Sequence, residues 1–209
     1  MADKFWTDPT ASPKRSYRFM LSVGGVGTGN TWLVTQVKKP SATVGEISHK
    51  YLNHTFHYPG RVEWDTVNIT LVDPVEPNAA GLMSKILEGT GYHVPQNGNL
   101  TTSITKEKAV NALGTVTITQ FGNDINDKVE EWTLKNAFIT QIDWGELNYE
   151  SDDLTNITLT IRYDWAECQT NFGGTNRPAG QDKFFTQRAD DTSASTVENN
   201  STGTNNIQG

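Results

Sequence analysis

Two neighbouring stretches, residues 129–144 and 155–165, alternate apolar and polar side chains for longer than an ordinary strand, and this leaves the chain few architectures. In the second stretch Ile157, Leu159, Ile161, Tyr163 and Trp165 fall on one face, and Asn156, Thr158, Thr160, Arg162 and Asp164 on the other. A period of two marks a half-buried β-strand. In the first stretch Trp132, Leu134, Phe138, Ile142 and Trp144 share a parity that Asn136 and Thr140 interrupt, while Thr133, Lys135, Gln141 and Asp143 point the other way. At about 3.3 Å per residue such strands reach roughly 40 Å, well beyond the usual five or six residues. Joined by the acidic turn 145–154, they suggest a wide barrel or an extended sheet with one core face and one wet face.

The remaining segments fit a mainly β chain. Residues 17–23 set Tyr17, Phe19, Leu21 and Val23 against Arg18, Met20 and Ser22, and residues 31–38 follow a glycine-rich loop, so the two read as a hairpin. Residues 62–72 form a further strand closed by Asp73-Pro74, and residues 116–121 another. One helix is expected over 78–88: Asn78 caps it, Leu82, Met83 and Ile86 make its stripe, and Gly89 ends it. Residues 92–105 read as a polar connection. Residues 40–60 read as a long loop between strands, and loops of that length usually serve a purpose. Leaving Val44, Ile47, Tyr51, Leu52 and Phe56 in water costs about 25 cal/mol per Å². The segment therefore either folds back on its own domain or covers a neighbouring molecule.

At 209 residues the chain suits one domain, set at residues 16–168, between an N-terminal arm of 1–15 and a tail of 169–209. The tail is rich in Asn, Thr, Ser and Gly, with Phe172, Phe184 and Phe185 its only aromatic residues, so it should be flexible or ordered against a partner. No apolar run approaches the roughly 18 residues of a membrane span, and the first residues lack a signal-type apolar region. A soluble protein without membrane insertion is expected. Cys168 is the sole cysteine, so no intrachain disulfide forms and a structural thiol is the simplest reading. The net charge of −7 is unevenly spread. Residues 1–62 carry eight Lys/Arg against three acids, whereas residues 124–167 carry three against eleven. Such a division favours head-to-tail association, or else both portions are solvated and screened by salt.

Chemistry is harder to find. The glycine run at 25–30 lacks the third glycine of a dinucleotide loop and leads into a strand, not a helix. His54 and His57 lack the further ligands a metal site needs. Asp124, Asn126 and Asp127 miss the twelve-residue calcium pattern. Asp152 and Asp153, with Glu150 beside them, sit at an exposed turn with no enclosing cleft to shift a carboxyl pKa. No nucleophile elbow or Walker motif occurs. A non-enzymatic chain without cofactor or metal is expected, and its acidity disfavours specific DNA binding. Phe5 and Trp6 stand in the polar arm, where they either tuck under their own domain or anchor to another subunit.

The segment EEWTLKNAFITQIDWGELNYESDDLTNITLTIRYDWA resembles the C-terminal hairpin of tail tube proteins from contractile-tailed bacteriophages, with a Trp-x-Leu-x-Asn-Ala strand, a W-G-x-L-x-Y turn, an S-D-D-L start and a Y-D-W finish. The stretch KYLNHTFHYPGRVEWDTVNITLVDP, residues 50–74, resembles that family's tube-lining loop and the W-D-x-V-x-I-T-L-V-D-like strand it leads into. The likeness covers roughly residues 15–167. It implies the tail-tube fold shared with the Hcp tube protein of type VI secretion: a β-barrel of two packed antiparallel sheets, one flanking helix and an extended interface loop. It further implies hexameric rings stacked into a conduit for DNA ejection inside a contractile sheath, assembled in the host cytoplasm and carried in the virion tail. The implied partners are the chain itself, sheath, baseplate hub, tape-measure and tail terminator proteins, with DNA passing without specific binding.

Carried onto this chain, the resemblance assigns inter-ring contact to Val44, Glu46, Ile47, Lys50, Tyr51, Leu52 and Asn53. It turns Asn156, Thr158, Thr160, Arg162 and Asp164 toward the lumen and Asn78, Lys85 and Glu88 toward the sheath, and it leaves the N-terminal arm, with Phe5 and Trp6 as a candidate subunit anchor, unassigned. Two rivals stay open: an Hcp-type tube of a secretion or injection system, and a monomeric β-barrel with a closed ligand pocket.

Overall fold

The computed structural model describes residues 13–25, 33–94, 103–150, 152–170 and 182–185. Along the chain these form β1 (Phe19–Val23), β2 (Val34–Val37), β3 (Ala42–Tyr51), β4 (His54–Trp64), β5 (Val67–Val72), α1 (Ala79–Gly89), α2 (Lys106–Leu113), β6 (Val116–Phe121), β7 (Lys128–Lys135), β8 (Phe138–Asp143), β9 (Asn156–Arg162), β10 (Trp165–Thr170) and β11 (Asp182–Phe184). Two antiparallel sheets carry the fold, one ordered β1-β6-β7-β10-β11 and the other β2-β5-β9-β8. Among the described residues, strands β3 and β4 pair only with each other.

The long hairpin expected over residues 129–165 forms, but it bends from one sheet into the other. Lys135 opposes Trp165 in the five-stranded sheet, while Phe138 opposes Arg162 in the four-stranded one. At the bend Asn136 takes φ 53°, a left-handed conformation that Asn tolerates better than bulkier residues. Its side-chain amide donates to Asp164 at 2.7 Å, and the Asp164 amide donates to the Lys135 carbonyl at 3.0 Å. Both crossings are thereby tied together, and two strands of roughly 40 Å become four short ones. A bulge between Ile139 and Gln141 shifts the parity again. Ile139 and Ile142 both pack on the core, whereas Phe138 shares the outward face of Arg162, so the single parity expected for Trp132, Leu134, Phe138, Ile142 and Trp144 does not hold. Asn136→Val should cost about 2–3 kcal/mol, combining a β-branched residue at positive φ with a lost hydrogen bond. Urea denaturation measures this directly.

Between the sheets the core is filled by side chains. Val67, Ile69, Leu71, Ile157, Leu159 and Ile161 come from the four-stranded sheet, and Leu21, Val116, Ile118, Leu134 and Ala166 from the five-stranded one. Helix α1 closes the core with Ala79, Met83 and Ile86, its N-terminus capped by the Asn78 carboxamide accepting from the Gly81 amide at 2.6 Å.

Several expectations need correction. β1 and β2 do not make a hairpin: β1 pairs with β6 and β2 with β5, in different sheets. Residues 62–72 are two strands, broken where Ser41 Oγ donates to the Asp65 carboxylate at 2.9 Å. Residues 40–60 are not a loop but most of the β3–β4 hairpin. A second helix, α2, follows the connection, capped by Thr105. Ordered structure also passes Cys168, because β10 runs to Thr170 and β11 adds Phe184 opposite Cys168. The Phe185 ring then meets Trp64 edge-on with centroids 5.5 Å apart.

Candidate functional site

Every residue of β3 is exposed, and the register sorts the outer part of the hairpin into two unlike faces. Ile47 opposes Tyr58, His49 opposes Phe56 and Tyr51 opposes His54, all on one side. Glu46, Ser48 and Lys50 share the other side with Pro59, His57 and Thr55. Gly45 faces the Gly60–Arg61 bulge; a Cβ on Gly60 would lie 3.0 Å from the Gly45 carbonyl oxygen, so the two glycines let the backbones approach. The turn is Leu52–Asn53, with Leu52 at φ 50° and 87% exposed.

An isolated two-stranded hairpin is marginal in water, and this one displays Ile47, Tyr51, Phe56 and Tyr58 without cover. Scattered exposed apolar residues are ordinary, but a continuous stripe marks a contact surface. Of the seven interface residues expected from sequence, Ile47 and Tyr51 lie on the apolar face, Leu52 and Asn53 at the tip, and Glu46 and Lys50 on the polar face. Val44 lies nearer the root, opposite Val62. The polar face is stitched by Glu46 and the His57 ring nitrogen 2.6 Å apart. His54 and His57 stand on opposite faces, which removes the one close histidine pair as a joint ligand set.

The outer face of the four-stranded sheet holds Asn156, Thr158, Thr160 and Arg162 from β9. Register adds Thr70 opposite Thr158, Asn68 opposite Thr160 and Gln36 opposite Thr70. This is a field of hydroxyls and amides with few charges. Asp164 does not belong to it: it lies past the end of β9, bound by Lys106 Nζ at 2.7 and 2.9 Å. Lys106 first, and Asn136 after it, hold the Asp164 carboxyl below its usual range despite some burial. Asn78, Lys85 and Glu88 are all exposed on α1. Phe5 and Trp6 lie outside the described residues.

Sequence reading missed what fixes the hairpin's root. Glu130, on β7, accepts from Lys39 at 2.7 Å and also from Lys14 and Trp132, while Lys39 donates to Gln120 at 2.7 Å. Burial pushes the Glu130 carboxyl up, but those donors outweigh it and hold it at about 2. Part of the basic N-terminal charge is thus matched within the chain. Burial, followed by the Glu130 charge, raises the Cys168 thiol. Cys168 should therefore react slowly with a thiol reagent at pH 8 in the folded protein and readily in urea, with time-resolved labelling as the check.

No protein-family model matches the chain, nor does any curated protein sequence. Its structure does match solved ones. A chain of the anti-feeding prophage tube-terminating cap aligns with TM-score 0.57 and 17% identity over 81% of this chain and 99% of that one. A chain of the sheath-tube complex of an extracellular contractile injection system, PVC, aligns with TM-score 0.54 and 21% identity over 77% and 94%. A chain of the anti-feeding prophage baseplate aligns with TM-score 0.52 and 15% identity over 75% and 95%. At such identities the likeness is one of fold, and the chain shares the fold of these subunits of contractile particles.

Proposed function

We propose that this chain is a non-enzymatic structural subunit of the tube in a contractile tail, built by stacking copies of itself. The observation that carries this reading is the bare amphipathic β3–β4 hairpin on a tail-tube fold. A lone hairpin with an uncovered apolar stripe gains stability when another subunit covers it. The hydroxyl and amide face of the four-stranded sheet suits a lumen wall, since it offers a passing polyanion little charge to bind. In this reading α1 looks outward to a sheath through Asn78, Lys85 and Glu88, rings are six-fold, and baseplate hub, tape-measure and terminator proteins bound the tube. The particle is a phage tail that ejects DNA, assembled in the host cytoplasm.

One observation favours a second reading, in which the tube belongs to a contractile injection system: one of the aligned structures comes from an extracellular contractile injection system. Light scattering across a concentration series tests the shared core of both. Mass should climb from the 23.1 kDa chain to large assemblies as concentration rises, and a constant 23.1 kDa would overturn both readings.

A further inference from the structure

The four-stranded sheet has a different exposed feature at each end. β5 begins at Val67, opposite Ile161, directly after the β3–β4 hairpin, so the hairpin leaves from that end. β5 finishes at Val72, opposite Asn156, the first residue of β9, so the 144–155 connection from β8 lies at the other end. That connection displays Leu147 at 85% exposure and Leu154 at 72%, with Trp144 and Tyr149 also uncovered. Leu147, Tyr149 and Leu154 line a hollow of 520 Å³, roomy enough for a leucine or tyrosine side chain. No Lys or Arg occurs between Lys135 and Arg162, and the loop carries Glu146, Glu150, Asp152 and Asp153. Ion pairs among the described residues draw Glu130, Glu131, Asp164 and Glu167 from this acidic half, not Glu146, Glu150 or Asp152. Among the described residues, the outer hairpin offers the unpaired cation Lys50 beside its apolar stripe, and its one acid, Glu46, is already bound to His57.

We propose that the hairpin tip of one copy docks on the acidic, aromatic 144–154 loop of the next. This inference rests on the tube-subunit reading and names the receiving surface for the hairpin. The two surfaces differ, so the contact is heterologous; because they sit at opposite ends of one sheet, each docked copy presents a fresh loop or a fresh hairpin, and growth continues head to tail. Apolar burial at the tip supplies affinity, and the opposed charges set register and exclude the reverse pairing.

Charge reversal tests the pairing. Lys50→Glu with Asn53→Glu makes the tip acidic, and Glu150→Lys with Asp152→Lys makes the loop basic; all four positions are exposed, and circular dichroism with thermal melting verifies that each variant stays folded. Each pair alone should raise the concentration needed for assembly at least tenfold, and combining all four substitutions should bring it back toward wild type. Tubes from the loop variant at the wild-type concentration would overturn the docking and leave the tube reading standing, as would a folded four-site variant that recovers nothing. A wild-type protein that never assembles would overturn the tube reading itself.

Discussion

Replacing Tyr51 and Leu52 together by Asp should leave the β spectrum and melting temperature nearly unchanged while abolishing tube formation. Both side chains are largely exposed, Tyr51 at 63% and Leu52 at 87%, so the folded subunit loses little when they become polar. An assembled contact that covers them loses about 1.5–3 kcal/mol of apolar burial for each. Two carboxylates must then be dehydrated in the same interface, where an unpaired charge is costly. Together this amounts to at least a hundredfold in association, on the scale of about 1.4 kcal/mol per factor of ten. Pelleting assays over a concentration series read the effect. Tube formation equal to wild type would remove the hairpin tip as a main contact.

Glu130→Gln should destabilise the subunit clearly although it lies outside the hydrocarbon core. The carboxylate, with a side chain only 10% exposed, sits between Lys14 and Lys39 and also accepts from the Trp132 indole. Moving a carboxyl from 4.5 to about 2 corresponds to roughly 3 kcal/mol, and the half-exposed lysines reduce this to about 2 kcal/mol. For a chain of this size that is a fall of roughly 4–8 °C in melting temperature. The sign with pH follows from the lowered carboxyl. The stabilisation is complete above pH 4.5, declines as pH falls from there, and is gone below about 2. Wild type and Glu130→Gln should therefore differ most near neutrality and converge in strong acid, as paired urea melts at several pH values would record. Because Lys39 lies three residues before β3, the same substitution should loosen the hairpin root, visible as faster amide exchange in β3.

The sequence exposes faces more readily than sheets. Ile157, Leu159 and Ile161 announce a buried side, and each is at most 3% exposed. Alternation does not say that Asn136 and Asp164 pass the chain from one sheet to the other, because a bend keeps the core face inward on both sides. β1 and β2 misled in the same way: neighbouring alternating segments suggest a hairpin, yet each found a distant partner, Gln120 for Phe19 and Leu71 for Val34. The β3–β4 hairpin was hidden for another reason. With both faces in water there is no continuous alternation to mark it, and the Gly45 and Gly60 bulge shifts what there is. α2 has only Ala109 and Leu113 buried, too short a stripe to stand out, although Thr105 is a sound cap in hindsight. Residues 47, 51 and 52 were legible as contact candidates because large apolar side chains in a polar segment need cover. Glu130 was not, because its partners Lys14 and Lys39 lie 116 and 91 residues away.

Negative-stain electron microscopy of the purified protein over a range of concentrations is the most direct test of the central claim. Hollow rings seen end-on, joining into tubes of uniform width as concentration rises, are the predicted result. Fields of separate particles the size of one 23.1 kDa chain at every concentration would contradict it.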